Sequence, residues 1–230
     1  MTVGRHTLRR FRRDERGSTL VELAIILPLT FLMIFAIVDY GRLHWLVSSS
    51  RKATEIAVRV ASVRPPICAG LPEQHEPAAQ DPASGPARFG TLCRAEANVC
   101  ASVAVSCSLE VPAPGSGDTA GALRLATSDE IWRRIEPLMP PGSQKTHIRI
   151  AYETDADLGF LGGPFTPEIT VEIVDTRQDP LFEFVMPLGP LAELASGSTT
   201  FSSTWSRAVA FPRMSASLPA EDLGNGTGTN

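Results

Sequence analysis

The stretch from Leu20 to Val38, LVELAIILPLTFLMIFAIV, holds nineteen consecutive positions of which only Glu22 and Thr30 are polar. As an α-helix rising about 1.5 Å per residue it is about 28 Å long, close to the hydrocarbon thickness of a bilayer. A helix of that length and composition crosses a membrane once. A cleaved secretory signal is the weaker reading, because its apolar region is shorter and ends in a small-residue cleavage site. Here the run ends in Asp39-Tyr40-Gly41-Arg42.

Charge gives the segment a direction. Residues 1–17 carry Arg5, Arg9, Arg10, Arg12, Arg13 and Arg16 against Asp14 and Glu15, net +4, in a chain whose formal charge is -4. The rest is therefore acidic at -8, which disfavours nonspecific attraction to nucleic acid and makes the basic head a local device. Basic residues flanking a span tend to stay in the cytoplasm, so the expected orientation has the N-terminus inside and everything after Asp39 outside. The chain length suits one anchored domain better than two independent ones.

Glu22 is what a plain anchor does not explain. An ionisable group near the centre of a span costs on the order of 2.5 kcal/mol or more, less near an edge, and usually has a partner. At the cytoplasmic edge a carboxylate can also snorkel or stay protonated. Its spacing from Gly17 favours the reading with a partner.

The run Arg16-Gly17-Ser18-Thr19-Leu20-Val21-Glu22 resembles the processing site of type IV pilins and pseudopilins. That resemblance implies a leader of residues 1–17, cleavage between Gly17 and Ser18 by a prepilin peptidase, and Glu22 as the fifth residue of the mature chain. The new ammonium on Ser18 gives such a carboxylate a partner on a neighbouring subunit. The wider stretch RRFRRDERGSTLVELAIILPLTFLMIFAIVDYGRL, with Pro28 inside the apolar run and RKATEIAVRVASV after it, is similar to TadE-like minor pilins and pseudopilins of tight-adherence (Flp) pilus systems. It covers about the first quarter of the chain. Leu23, where major Flp pilins carry Tyr, and the greater chain length point to a minor or assembly component. The implied partners are the prepilin peptidase, the Flp major pilin, other minor pilins and the inner-membrane assembly platform. The implied location is the inner membrane, with a periplasmic or extracellular body and possible incorporation in the pilus.

The expected domains are the leader 1–17, a transmembrane helix 18–39, an amphipathic continuation 40–63, a Pro-rich loop or linker 64–90, a mainly-β body 91–215 and a disordered tail 216–230. In the continuation, Leu43, Leu46, Ala53, Ile56, Ala57 and Val60 share one helical face, while Glu55 stands four residues from both Arg51 and Arg59. Six prolines between Pro65 and Pro86 disfavour helix beyond it. Alternating polarity predicts strands near Val99–Val111, Thr146–Thr154, Glu168–Asp175 and Thr199–Phe211, with Ile169, Val171 and Ile173 on one face. Phe201, Trp205, Val209 and Phe211 read as a core stripe. Thr127 with Glu130 resembles a capping box opening a short helix through Ile131, Trp132, Ile135 and Leu138. The fold class is α+β: a long N-terminal transmembrane and amphipathic helix packed on an antiparallel sheet, which the resemblance makes pilin-like.

Cys68, Cys93, Cys100 and Cys107 all follow the span, so an oxidising compartment predicts two disulfides in one of three connectivities. Cys68 with one of the others is favoured, since Cys100 and Cys107 would point to opposite faces of a single strand. The spacings do not match structural zinc sites, so no metal and no cofactor are expected. The histidines His6, His44, His75 and His147 are scattered, and no nucleophile elbow, phosphate loop or HExxH is present. Asp155 and Asp157 in TDADLG read as a solvated turn rather than a calcium loop. The chain is thus not expected to be an enzyme. An uncleaved signal-anchored binding or sensor domain is the alternative, and a membrane-tethered hydrolase is a third reading.

Overall fold

The computed structural model describes residues 18–78, 88–96, 99–174, 181, 211–221 and 223. Helix α1 runs without a break over Ser18–Ala61, 44 residues, with Pro28 inside it. Pro28 supplies no N–H to the carbonyl of Ala24. Two residues on, the Thr30 hydroxyl donates back one turn to the Ile26 carbonyl at 2.9 Å, satisfying a polar side chain that the apolar run would otherwise strand. By length and composition α1 can cross a membrane. Its large apolar side chains from Leu20 to Val38 are exposed. Water would leave that surface poorly solvated; lipid would cover it.

The described residues from Trp45 onward form a compact unit of their own, and those up to His44 belong to another. Within the larger unit Ala53, Ala57, Val58, Val60 and Ala61 of α1 are buried. The small residues among them allow close approach of neighbouring backbone. The exposed face carries Lys52 and Glu55, paired at 2.8 Å. The sequence paired Glu55 with Arg51 and Arg59; the hydrogen-bonded partner is instead the lysine one turn earlier. After Ala61 the Ser62 N–H still reaches the Val58 carbonyl at 2.9 Å, and Pro65-Pro66 then prevents continuation.

Among the described residues the sheet has four antiparallel strands in sequence order: β1 (Ala104–Ser108), β2 (Ile148–Glu153), β3 (Glu168–Ile173) and β4 (Met214–Pro219). Register puts Cys107 opposite Ile150, Ile150 opposite Val171, and Val171 opposite Ala216. Ile148, Ile150 and Tyr152 of β2 and Ile169, Val171 and Ile173 of β3 are all buried, so the core lies on one face of the central strands. Thr170 and Glu172 take the opposite parity. The long apolar helix with a four-stranded antiparallel sheet is the α+β arrangement that strand alternation and the N-terminal run anticipated.

Three local expectations require correction. A strand lies at Met214–Pro219, where a disordered tail was expected from residue 216; of the strand predicted at Thr199–Phe211 only Phe211, buried, is among the described residues. Phe201, Trp205 and Val209 lie outside them. Among the described residues β4 is an edge strand, MSASLP, in which only Met214 is buried, so burial does not impose alternation. Residues 216–219, expected in the tail, belong to this strand; residues 224–230 lie outside the described residues. Second, helix α2 spans Thr119–Ile135 and begins eight residues before Thr127. Asp118 is the cap: its carboxylate accepts the Gly121 N–H at 2.8 Å. Thr127 and Ser128 are buried in mid-helix, and Ser128 donates to the Leu109 carbonyl. Third, Glu130 is no capping residue but an acceptor shared by Arg64 at 3.0 Å and Arg134 at 2.6 Å. Ile131 and Ile135 supply the buried face of α2.

Candidate functional site

Two regions carry the residues with chemical potential: the start of α1 and a loop layer beside the sheet. Gly17 lies outside the described residues. Ser18 is the first residue of α1, and Glu22 follows four residues on, one helical turn along. Glu22 is exposed, as are Leu20 and Val38.

At the other end of the apolar run, Asp39 is buried, and its carboxylate accepts from the Arg42 guanidinium at 3.2 Å, one turn later. Sequence reading used Asp39 and Arg42 only to mark the end of the span. The i,i+3 spacing of an acid and a base was the available signal.

The segment after α1 is held by covalent and polar ties. Cys68 bonds to Cys107 of β1, and Cys93 bonds to Cys100. The first bridge fits the expected preference for Cys68; Cys100 precedes β1, so the geometry considered for one strand does not arise. The Tyr152 hydroxyl accepts the Ile67 N–H at 3.2 Å. Burial pushes the Tyr152 phenol up to about 12, with the Ile67 N–H opposing that shift.

Around His75 the Pro-rich segment is stitched to two later loops. The His75 N–H donates to the Gly163 carbonyl at 2.9 Å, and Gly162 donates back to the His75 carbonyl at 2.9 Å. Ala101 donates to Glu76 at 2.8 Å, Leu161 to Thr91 at 2.8 Å, and Cys93 to Gly159 at 3.3 Å. His75 itself is buried, 5.2 Å from the Phe165 ring between centroids, with Nε2 at 3.3 Å from both Oγ1 and N of Thr166. Its Nδ1 is buried and has no hydrogen-bond partner among the described residues. Desolvation holds the His75 pKa below the ordinary value. Gly159, at φ +80, gives the ring room: a Cβ there would sit 2.2 Å from Nε2.

One ring nitrogen of His75 and the sulfurs of Cys93 and Cys100 lie within 4.8 Å of one another. The sequence treated these residues separately, because positions 75, 93 and 100 follow no familiar ligand spacing. The other histidines of the described chain stand apart: His44 is exposed on α1, and Nδ1 of His147 accepts the Gln144 N–H at 2.9 Å. Asp155 accepts the Asp157 N–H at 2.9 Å, a side chain closing a local turn.

Residues 17–59 match the family model described as TadE-like protein, 43 of the chain's 230 residues. No curated protein and no solved structure matches the chain.

Proposed function

We propose, from an N-terminal segment that is TadE-like over residues 17–59, that this chain is a minor pilin or pseudopilin acting in the assembly or initiation of tight-adherence (Flp) pili. The observation that carries the reading is the exposed Glu22 at the start of an unbroken helix whose apolar surface, from Leu20 to Val38, is itself exposed. A prepilin peptidase cuts after Gly17 on the cytoplasmic side. The ammonium then formed on Ser18 pairs with the Glu22 carboxylate of a neighbouring subunit, and the apolar helices pack side by side. In a low-dielectric environment an unpaired carboxylate is costly, so the pair gives both affinity and axial register.

In this reading the basic leader keeps the N-terminus in the cytoplasm and delivers the body to an oxidising compartment, which suits its two disulfides. The role is structural and non-enzymatic. Its partners are the peptidase, the major pilin, sister minor pilins and the inner-membrane platform.

Mass spectrometry of the mature N-terminus in the native host tests it. A chain beginning at Ser18 is expected. A chain retaining its first seventeen residues overturns the processing step and favours an uncleaved, signal-anchored binding or sensor domain.

A further inference from the structure

The body carries a surplus of positive charge at one place and of negative charge at another. At the end of α1 a cleft of ≈ 390 Å³ is lined by Ile56, Arg59, Val60, Val63, Arg64 and, from α2, Arg134. Three guanidinium groups stand around it, and the carboxylate of Glu130 is shared between Arg64 and Arg134. Arg59 is exposed and has no ion pair among the described residues, since Glu55, one turn earlier, is held by Lys52 at 2.8 Å. Val63 beside it is half exposed. A basic cleft with apolar walls suits a carboxylate together with the apolar stem that carries it.

The acidic patch lies on the sheet. Strand register puts Glu153 directly opposite Glu168. Both have the parity opposite to the buried Tyr152 and Ile169, so they stand on the face turned away from the core. Carboxylates placed opposite one another on neighbouring strands are about 5 Å apart at Cβ and repel. The remaining positions of that row are Ala104 and Pro219, and neither glutamate has an ion pair among the described residues. At the other end of the same face the charges are balanced: Arg149 stands opposite Glu172, which Arg213 also approaches at 4.0 Å. The row between them is Ser106, Ala151, Thr170 and Ser217, short side chains that leave the two glutamates open to approach.

We infer that the two patches meet between copies: the arginine cleft of one chain receives the Glu153 and Glu168 carboxylates of a second copy. A repelling pair of acids and a surplus of guanidinium groups are each unfavourable alone, and docking relieves both. The chain beyond residue 17 is acidic overall, so copies gain nothing from their net charges and the attraction is confined to this local match. The patches belong to different elements, so the contact is heterologous, and each copy keeps one free patch of each sign for the next. Exposed ion pairs contribute only about 0–1 kcal/mol each, too little to hold dissolved chains together. The contact acts between copies held in one membrane by α1, where their effective concentration is high. It requires neither processing after Gly17 nor a pilus partner.

The test uses the full chain in phospholipid vesicles, as an equal mixture of unlabelled and ¹⁵N-labelled protein. Lys52 and Lys145 are the chain's two lysines, so Arg59→Lys keeps the charge and adds a side-chain amine that a carbodiimide joins to a carboxylate. Mass spectrometry is expected to find position 59 joined to Glu153 or Glu168 in isotopically mixed pairs. The yield should fall about fivefold as salt rises from ~0.05 to ~0.5 M, because exposed charges are screened. Thr170→Arg brings a cation beside Glu168 on its own strand and leaves both reacting groups in place. It should lower the yield about fivefold while leaving the thermal midpoint unchanged or raised, which separates lost docking from lost fold. Links found only within a single isotope, links from position 59 to other carboxylates instead, a yield indifferent to Thr170→Arg, or equal linkage of Lys52 and Lys145 to the same glutamates overturns the proposal.

Discussion

The Tyr152 hydroxyl accepts the Ile67 N–H at 3.2 Å across 85 residues of sequence, tying the exit of the long helix to a central strand. Tyr152 is fully buried, and Ile67 is next to Cys68, whose disulfide reaches Cys107 on the adjoining strand β1. The same short segment is therefore anchored twice.

Burial that raises the Tyr152 phenol to about 12 makes stability fall in alkali. The unfolded phenol titrates near 10, so the contribution is whole below that pH and is lost as pH rises through 12; two pH units correspond to about 2.7 kcal/mol. Denaturant unfolding of the micelle-bound chain at pH 9 and pH 12 checks this. Tyr152→Phe is expected to reduce the pH dependence while costing about 1–3 kcal/mol at neutral pH, because the Ile67 N–H loses its acceptor.

The disulfides differ in what they close. Cys68–Cys107 spans 39 residues and Cys93–Cys100 spans 7. Loop-closure entropy then gives about 4 kcal/mol for the first and about 2.5 kcal/mol for the second. Paired serine substitutions compared by denaturant midpoint should keep this order.

Gly159→Ala should destabilise the body by about 2–4 kcal/mol, combining left-handed backbone strain with overpacking against His75. Thermal unfolding gives the magnitude. Substituting a small residue at 75 in the same chain should recover part of the loss, since the clash is with that ring.

Glu22→Ala is expected to leave the protein inserted, because removing a carboxylate makes the span more apolar. Its recovery with pilus subunits should drop at least fivefold. Recovery equal to wild type would sink the intermolecular pair. Replacing Gly17 with a bulky residue should instead stop processing and leave the leader attached.

Acid should weaken the His75 region. Its pKa is depressed by burial, so its contribution is present above the ordinary value near 6.5 and is lost as pH falls through the lower folded value. Amide protection factors of residues 73–77 and 160–166, taken against the intrinsic exchange rate at each pH, should fall from pH 7 to pH 5 more in wild type than in His75→Phe.

Much of the architecture could be read from period and composition. The span Leu20–Val38 and the alternation of Ile169, Val171 and Ile173 are local patterns, and each reports the environment on its own face. The buried stripe of Ala53, Ala57 and Val60 was legible for the same reason. β4 was not, because an exposed edge of Ser and Ala imposes little alternation, and α2 was mis-started because Asp118 caps it from within a Gly-rich turn. The Pro-rich segment carried no periodicity, yet its backbone groups are satisfied by loops some ninety residues later, as in His75 with Gly163.

The apolar span, its basic flank and the spacing of Gly17, Ser18 and Glu22 are legible along the chain alone, because each depends only on near neighbours in sequence. Only tertiary structure decided that Cys68 meets Cys107, that Tyr152 receives Ile67, and that His75 lies beside Cys93 and Cys100. Those contacts arise when strand register and loop hydrogen bonding bring distant segments together, and no local pattern encodes the distance between them.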